Sequence, residues 1–488
     1  MMQQSELIQS VVTEVLRQMQ SAANSQAAPA TNSRPSANQG SAPAPASQAN
    51  PAEGTFADVD TAVASAEKAQ QQLAAAGVKT RDAIVKLIKK IAGENAKAWG
   101  EFELNETQVG RLDHKIAKLE LLENVPGVEF LTTPAHSGDD GVSLDEGAPW
   151  GVIGVITPVT HSIPTMTANA INMIAAGNSM VINAHPSGAK SAILAARTYN
   201  RAIKQQFNID PLLCIMDPPT LRSAEKIFSH PRIPLLVATG GPAVAKAAAK
   251  QPKRAIVAGP GNPPVVIDAS ADLDNAAKSI IAGAAFDNNL LCIGEKEVFV
   301  VREVFEAMMQ AMVNAGAVQL TTQQINKLTE TAMTFHDDHW VPRKEFVGAD
   351  ASRLAEAAGI TVPAGTDLLF GETAADHPFV PTEQMMPFVP FVRCSHFDHA
   401  LQLAVENEHG FGHTAIIHSN NLANISRMGR VMNTTLFVVN GPCTAGLGAG
   451  GEGYASYSIA TPSGEGITSP ATFTRFRRMS VSGSLRMI

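Results

Sequence analysis

Short apolar runs alternate with helical ones between residues 150 and 258, and this alternation limits the possible folds more than any other feature of the chain. The runs at 150–159, 180–184, 212–216, 235–239 and 255–258 are rich in Val, Ile and Leu and have the length of strands. Between them, 163–176, 187–206, 221–228 and 243–250 carry helical spacing, and Gly177-Asn178 stops the first. Near-continuous apolar strands joined by helices predict a parallel sheet covered on both faces, an α/β fold. A second unit of the same kind starts at 264–268. It continues through a helix at 273–286 and strands at 298–301, 388–392, 414–418 and 436–439.

Upstream, helical periodicity runs through 62–75, 80–104 and 110–122. Gly138-Asp139-Asp140-Gly141 lies between two extended runs over 128–145, which signals a hairpin. The N-terminus is built differently. Leu7, Val11, Val15 and Met19, flanked by Ile8, Val12 and Leu16, place one apolar face on a helix over 1–20. Residues 21–51 hold five prolines, a single charge at Arg34 and no large hydrophobe, so they read as a disordered linker. A lone amphipathic helix on a tether has no core of its own and is expected to dock on a partner protein. Its polar face of Glu, Gln and Ser argues against a membrane.

Bulk properties narrow the function classes. With 488 residues, 45% hydrophobic and 17% charged, the chain has material for two or three globular domains. A net charge of −8 gives no reason to expect nucleic acid. Four cysteines without a close pair suggest neither a disulfide framework nor a zinc site, and point to a reducing compartment. No run approaches the ~20 apolar residues of a membrane helix. The C-terminal Arg475-Phe476-Arg477-Arg478 reads as a solvated or interface edge.

Cys292 is the candidate nucleophile. It alone among the cysteines lies between a polar Asp287-Asn288-Asn289 stretch and the start of a strand, and a thiolate attacks carbonyl carbon well. In open parallel sheets ligands bind at the carboxyl ends of strands. Three such ends carry suitable residues: Thr157-Pro158-Val159-Thr160, His185-Pro186-Ser187-Gly188, and Thr239-Gly240-Gly241-Pro242. The second and third open helices, where free backbone N–H groups can hold phosphate. There is no G-x-G-x-x-G fingerprint after a strand, so the ordinary dinucleotide motif is missing. His409 and His413 have no carboxylate or Cys to complete a metal set, and no metal is expected.

Taken in order, TPVT at 157–160, AAGNSMVINAHPSG at 175–188, VATGG at 237–241, AGPGNPPVVIDASADL at 258–273, FDNNLLC at 286–292 and TEQMMPFVP at 382–390 resemble the aldehyde dehydrogenase superfamily. The resemblance covers the chain from about residue 55 onward. It implies a Rossmann-like NAD-binding domain over 52–261 with a β-hairpin flap near 128–146, a catalytic domain over 262–435, and a bridging, oligomerising segment over 436–488. It also implies that Cys292 attacks an aldehyde, that hydride passes to the nicotinamide, and that a thioacyl-enzyme remains. Dimers or tetramers are expected.

Departures from the common pattern carry further information. Hydrolytic members have a Glu that prepares water for the thioester. Here Ala258 takes its place, beside Gly259, and aligns to Cys292 without a gap. A positioned base is typically worth ~10²–10⁴-fold, so the acyl group needs a better acceptor than water, and a thiol serves. This is similar to the CoA-acylating branch, the acetaldehyde and propionaldehyde dehydrogenases of bacterial microcompartments. Their short N-terminal helix on a flexible linker directs them into the shell, and residues 1–51 have that construction. The resemblance implies NAD, CoA and a short aldehyde, propionaldehyde ahead of acetaldehyde, in a microcompartment lumen, with shell or core proteins as partners of residues 1–20. A hydrolytic enzyme with a base from elsewhere and a catalytically idle scaffold are the alternatives.

Residue by residue, Thr160 falls where hydrolytic members carry an oxyanion-donating Asn, and its hydroxyl can donate beside the Cys292 N–H. Thr157, Pro158, Val159, Thr239, Gly240, Gly241 and Val244 fall in cofactor-holding segments. His185 replaces a Lys near the adenosine ribose. Ser187, next to Gly188, stands where many members have a ribose-binding Glu, which leaves NAD against NADP open. Glu383 matches the acid that contacts the nicotinamide ribose. CoA is expected to reuse the nucleotide crevice.

Overall fold

The computed structural model describes residues 49–485. The helix expected over 1–20 and nearly all of the linker 21–51 lie outside the described residues. The chain opens with β1 (Thr55–Phe56), α1 (Val59–Glu94), α2 (Ala96–Thr107) and α3 (Leu112–Glu120), then β2 (Ala135–Gly138) and β3 (Gly141–Pro149). The expected βαβα series follows: β4 (Val152–Thr157), α4 (Ser162–Ala175), β5 (Ser179–Ala184), α5 (Ala189–Phe207), β6 (Leu213–Met216), α6 (Leu221–Ser229), β7 (Leu235–Thr239), α7 (Pro242–Ala249) and β8 (Arg254–Ala258). These strands form one all-parallel sheet in the order β1-β6-β5-β4-β7-β8. Period-2 alternation sends Ile153, Val155, Ile182 and Val237 to one apolar layer and Val152, Val181 and Leu236 to the other. Each face is covered by helices, as the apolar runs require.

Linker residues 259–263 carry the chain into β9 (Pro264–Ile267), α8 (Leu273–Ala284) and β10 (Glu297–Val301). Next come α9 (Phe305–Asn314), β11 (Val318–Gln319), α10 (Thr322–Ala332), the hairpin β12 (Met333–His336) and β13 (His339–Pro342), and α11 (Ala351–Ala358). The remaining elements are β14 (Leu369–Thr373), β15 (Phe388–Cys394), α12 (Phe397–Asn407), β16 (Thr414–His418), α13 (Leu422–Met432), β17 (Leu436–Val439) and a small β18 (Ile459–Ala460) and β19 (Gly466–Ile467) pair. The second sheet is also parallel throughout, in the order β11-β14-β15-β10-β9-β16-β17. The final strand, β20 (Thr474–Ser482), returns to pair antiparallel with β3 in a separate three-stranded sheet. The basic run lies in that strand, where Arg477 pairs with Glu146 and Arg478 with Asp145.

Some expectations shift. The strand expected over 150–159 stops at Thr157, because Pro158 has no N–H to give and the chain turns at 158–160. The single helix expected over 80–104 breaks at Asn95, whose side-chain amide bonds the Ile91 carbonyl and starts a new helix axis. Residues 128–134 are not strand; the hairpin begins at Ala135, and the two-residue turn is Asp139-Asp140.

The two sheets are joined through a buried polar contact. Lys118, on α3, is 1% exposed and Asp287, after α8, is fully buried; their ammonium and carboxylate pair directly. The same ammonium donates to the Thr160 carbonyl (3.2 Å) and meets His161 Nδ1 (3.1 Å). Asp287 also accepts the Arg111 N–H (2.9 Å), and its own N–H donates to His114 Nδ1 (2.9 Å), whose ring stacks on Phe286. Gly110 makes room: at φ +82° a Cβ there would sit 2.2 Å from the Asp287 carboxylate. Burial works to raise the Asp287 carboxyl, but Lys118 and then Lys115 prevail and hold it below its usual 3.8.

Removing one partner of a buried pair leaves an uncompensated charge, so Lys118→Met is expected to lose about 3–5 kcal/mol in urea unfolding at pH 7. Asp287 has a depressed folded pKa, so its contribution is complete above 3.8 and lost as pH falls through the folded value. The gap between wild type and Lys118→Met should therefore narrow in acid. A pH-independent gap, or none, would contradict the pairing.

Candidate active site

Sheet topology locates a crevice. From β4 the chain proceeds to β5 and β6 on one side, then crosses to β7 and β8 on the other. The order reverses between β4 and β7, and such switch points are where ligands enter open α/β sheets. Thr157 ends β4 and Thr239 ends β7, with Ile156 and Ala238 paired just before them. Thr157 Oγ1 is buried without a hydrogen-bond partner among the described residues. Beyond Thr239, a Cβ at Gly241 would meet nothing within 4 Å and one at Gly240 only Val244 Cβ, at 3.9 Å, and no side chain caps α7. Val244, in its first turn, is half-buried. An uncapped helix start behind two small residues fits a diphosphate. Ala258, paired with Thr239 at the end of β8, and Gly259 continue this rim.

The next strand end is built otherwise. The amides at His185–Gly188 were expected to be free for phosphate, and they are occupied. Ser187 N–H donates to His185 Nδ1 (3.2 Å) and Gly188 N–H to the His185 carbonyl (3.0 Å). The Lys190 and Ser191 N–H groups donate to the Glu106 carboxylate (2.8 and 2.7 Å). A protein carboxylate thus holds the start of α5 and repels a second anion. Burial and the Lys344 charge push the His185 imidazole down to about 4, so it is neutral at pH 7 and does not replace a lysine's charge.

Cys292 comes from the second sheet, in the loop entering β10. Its approach is shaped by Asp287, Asn288 and Asn289, with φ of +49°, +55° and +66°. Left-handed backbone is costly for most residues, and Asn and Asp tolerate it best. Each side chain is also tied down. Asn288 Nδ2 donates to the Gly348 carbonyl and Asp350 (3.0 and 2.8 Å), and Asn289 Nδ2 to the Ala284 and Glu295 carbonyls (2.9 and 3.0 Å). This accounts for the Asp-Asn-Asn sequence. It turns the chain out of α8 and delivers Cys292 half-buried.

The linker between the sheets passes beside this loop. A Cβ at Gly261 would lie 2.4 Å from the Cys292 carbonyl and 3.1 Å from the His413 ring, so only glycine fits. The Gly261 N–H bonds Glu383. Lys118 links Asp287 to the Thr160 carbonyl, so the Thr157–Thr160 turn and the nucleophile loop share one clamp. Pro158 and Val159 lie within that turn. Burial, then the nearby Glu383 carboxylate, push the Cys292 thiol up to about 12, against an opposing pull from Lys296. Glu383 is itself pushed up to about 7 by burial.

Sequence reading did not pick out Lys118, Glu295 or Lys296. All three are buried within the site's walls. A signal existed: Glu295-Lys296-Glu297 are three charges entering a strand that is otherwise apolar. His409 is exposed and bonds the Pro381 carbonyl (2.8 Å), whereas His413 is buried with Nδ1 on Thr414 Oγ1 (2.8 Å).

This geometry of a Rossmann-like crevice facing a cysteine loop has known counterparts. The aldehyde dehydrogenase family model matches residues 41–460. The acetylating acetaldehyde dehydrogenase EutE of Salmonella typhimurium is 43% identical over 439 residues, which are 89% of this chain and 94% of that relative. Propionaldehyde dehydrogenase of Rhodopseudomonas palustris, solved with bound CoA and an acylated cysteine, is 38% identical with a TM-score of 0.87, covering 89% of this chain and all of that one. A propionaldehyde dehydrogenase from the fucose utilisation microcompartment of Clostridium phytofermentans is 39% identical with a TM-score of 0.86, covering 89% of this chain and 100% of its own. The chain belongs to the aldehyde dehydrogenase family.

Proposed function

We propose that this protein is a CoA-acylating aldehyde dehydrogenase that converts a short aldehyde, NAD⁺ and CoA to acyl-CoA and NADH, with propionaldehyde the preferred substrate. The observation that carries this reading is that the crevice rim ends in Ala258, beside Thr239, while Cys292 is a half-buried free thiol in the loop entering β10. A nucleophile is present, and the carboxylate that would activate water is absent. The relatives support it, being acetylating and propionaldehyde-oxidising enzymes.

The residues at the β4–β7 switch fit the cofactor. Gly240, Gly241 and the α7 amides would hold the diphosphate, Thr157 and Val244 would line its cradle, and Glu383 would face the nicotinamide ribose. NAD⁺ or NADP⁺ bound there supplies the hydride acceptor; a relative with bound NADP⁺ shares the fold, at 37% identity. Cys292 attacks the aldehyde carbon, and its own N–H with the Thr160 hydroxyl receives the oxyanion. Loss of the aldehyde hydrogen as hydride leaves a thioester on Cys292. Without a positioned base water attacks slowly, and the CoA thiolate takes the acyl group, returning the Cys292 thiolate.

In this reading residues 52–261 hold NAD and CoA, 262–435 catalyse, and the hairpin near 128–146 with 436–488 joins subunits into a dimer or tetramer. The helix of residues 1–20 directs the enzyme to a shell or core protein of a microcompartment, whose lumen retains the volatile aldehyde.

Three outcomes are expected. NADH formation across two-, three- and four-carbon aldehydes should require CoA and be fastest with three carbons; equal rates without CoA would sink the acyl-transfer reading. Ala258→Glu should raise CoA-independent NADH formation by at least ~10-fold, since a base at that point is typically worth 10²–10⁴. No change in the free-acid product would count against Ala258 as the deciding residue. Deletion of residues 1–20 should leave turnover intact and abolish co-purification with shells; unchanged packaging would refute the targeting role.

A further inference from the structure

Lys296 takes no part in the chemistry derived so far, yet it is fully buried four residues past the nucleophile. Its Nζ has three acceptors: the Asn289 carbonyl (2.8 Å), Asn289 Oδ1 and the Leu291 carbonyl (3.1 Å). An ammonium carries three N–H donors and a neutral amine only two. Three acceptors and no donor partner therefore identify a charged lysine. Those acceptors all belong to the loop that ends at Cys292, and Lys296's own carbonyl is held by Gln384 Nε2 (2.9 Å), next to Glu383. Lys296 thus lies between the nucleophile loop and the segment that carries the opposing carboxylate.

The other titratable groups packed here are His413, Glu295, Glu297, Glu408 and the Cys443 thiol. Burial and Lys296 push His413 down to about 4, so its imidazole is neutral. Burial pushes Glu297 well up, and both its oxygens lack hydrogen-bond partners among the described residues, as expected of a protonated acid. Glu295 is pushed up to about 7 by burial and receives the Cys443 N–H (2.8 Å); the Cys443 thiol beside it is pushed well up by burial and then by Glu295. Glu408, which accepts the His413 N–H (2.7 Å), lies behind that ring. The charges bearing most directly on Cys292 are thus Lys296 and Glu383, of opposite sign.

We propose that Lys296 is a positioning residue of the reaction: its buried ammonium, fastened to the carbonyls of Asn289 and Leu291, fixes the nucleophile loop and stabilises the Cys292 thiolate against the Glu383 carboxylate. The proposal rests on Cys292 being the nucleophile. Burial disfavours a thiolate, and an opposite charge within a few ångströms favours it, so a thiol this enclosed needs a fixed cation close by. Lys296 supplies that cation, and its hydrogen bonds to Asn289 and Leu291 hold it against the loop.

Alkylation of Cys292 by iodoacetamide, followed against pH by peptide mass in the full-length enzyme without cofactor, reads thiolate formation directly. Lys296→Met should move the half-titration point up by at least about one unit, which is about tenfold slower alkylation at a fixed lower pH. Lys296→Arg should stay near wild type, and Glu383→Gln should shift the other way and react faster. Overlapping Lys296→Met and wild-type profiles, or equal losses in Lys296→Met and Lys296→Arg, would overturn the proposal. Should Lys296→Met fail to fold, Glu383→Gln and Lys296→Arg decide: a Glu383→Gln profile unmoved or moved upward overturns it. Failure of the nucleophile reading is separate, and would show as acyl-CoA formation by Cys292→Ser.

Discussion

The buried Lys118–Asp287 contact ties the turn after β4 of the first sheet to the loop that enters β10 of the second. One ammonium reaches the Thr160 carbonyl, His161 and the Asp287 carboxylate at once. It therefore fixes the turn after β4 relative to the loop before β10. Those two segments come from different parallel sheets, each with its own apolar layers. Hydrophobic packing sets the position of each sheet's strands but is not directional enough to register one loop against another. A charge-assisted hydrogen-bond network does so, at the cost of two buried ions. The left-handed Asp287-Asn288-Asn289 run is the other half of this arrangement, since it aims Asp287 at Lys118 while delivering Cys292 to the crevice.

A second charge organises the nucleophile itself. Lys296 fills its three donors with carbonyl and amide oxygens of the Cys292 loop, while Glu383 stands on the opposite side, bonded to Gly261. Gly261 is pressed between the Cys292 carbonyl and His413, so the linker joining the sheets also forms the wall of the site. Ala258, at the end of β8, is buried beside Thr239. The site is rich in buried charge, yet at the point where water would be activated it offers none.

Much of this could be read from the chain, and the limits have physical causes. The apolar runs of both sheets are buried on both faces, so strands such as Leu235–Thr239 in the first and Thr414–His418 in the second match their expected bounds. The Cys292 loop and the Ala258 substitution were equally legible, because each is a local sequence feature. Asn95, which breaks a long helix through one side-chain hydrogen bond, and Pro158, which ends β4 early for want of an N–H, act through local details that periodicity does not register. The amides at His185–Gly188 looked free because the carboxylate that satisfies their neighbours, Glu106, is about eighty residues away in sequence. Lys118 and Lys296 were hidden for a similar reason: a lysine in sequence looks like surface, and only the tertiary structure shows its ammonium enclosed.

In the mechanism proposed above Cys292 relays an acyl group from an aldehyde to a thiol, on a loop bonded by two buried lysines, Lys118 and Lys296. Intact-protein mass measurement after mixing the enzyme with propionaldehyde and NAD⁺, first without CoA and then with it, tests this most directly. A single propionyl adduct on Cys292 should accumulate without CoA and clear, with propionyl-CoA appearing, once CoA is added. Sustained release of free propionate with no adduct, before any CoA is present, would contradict it.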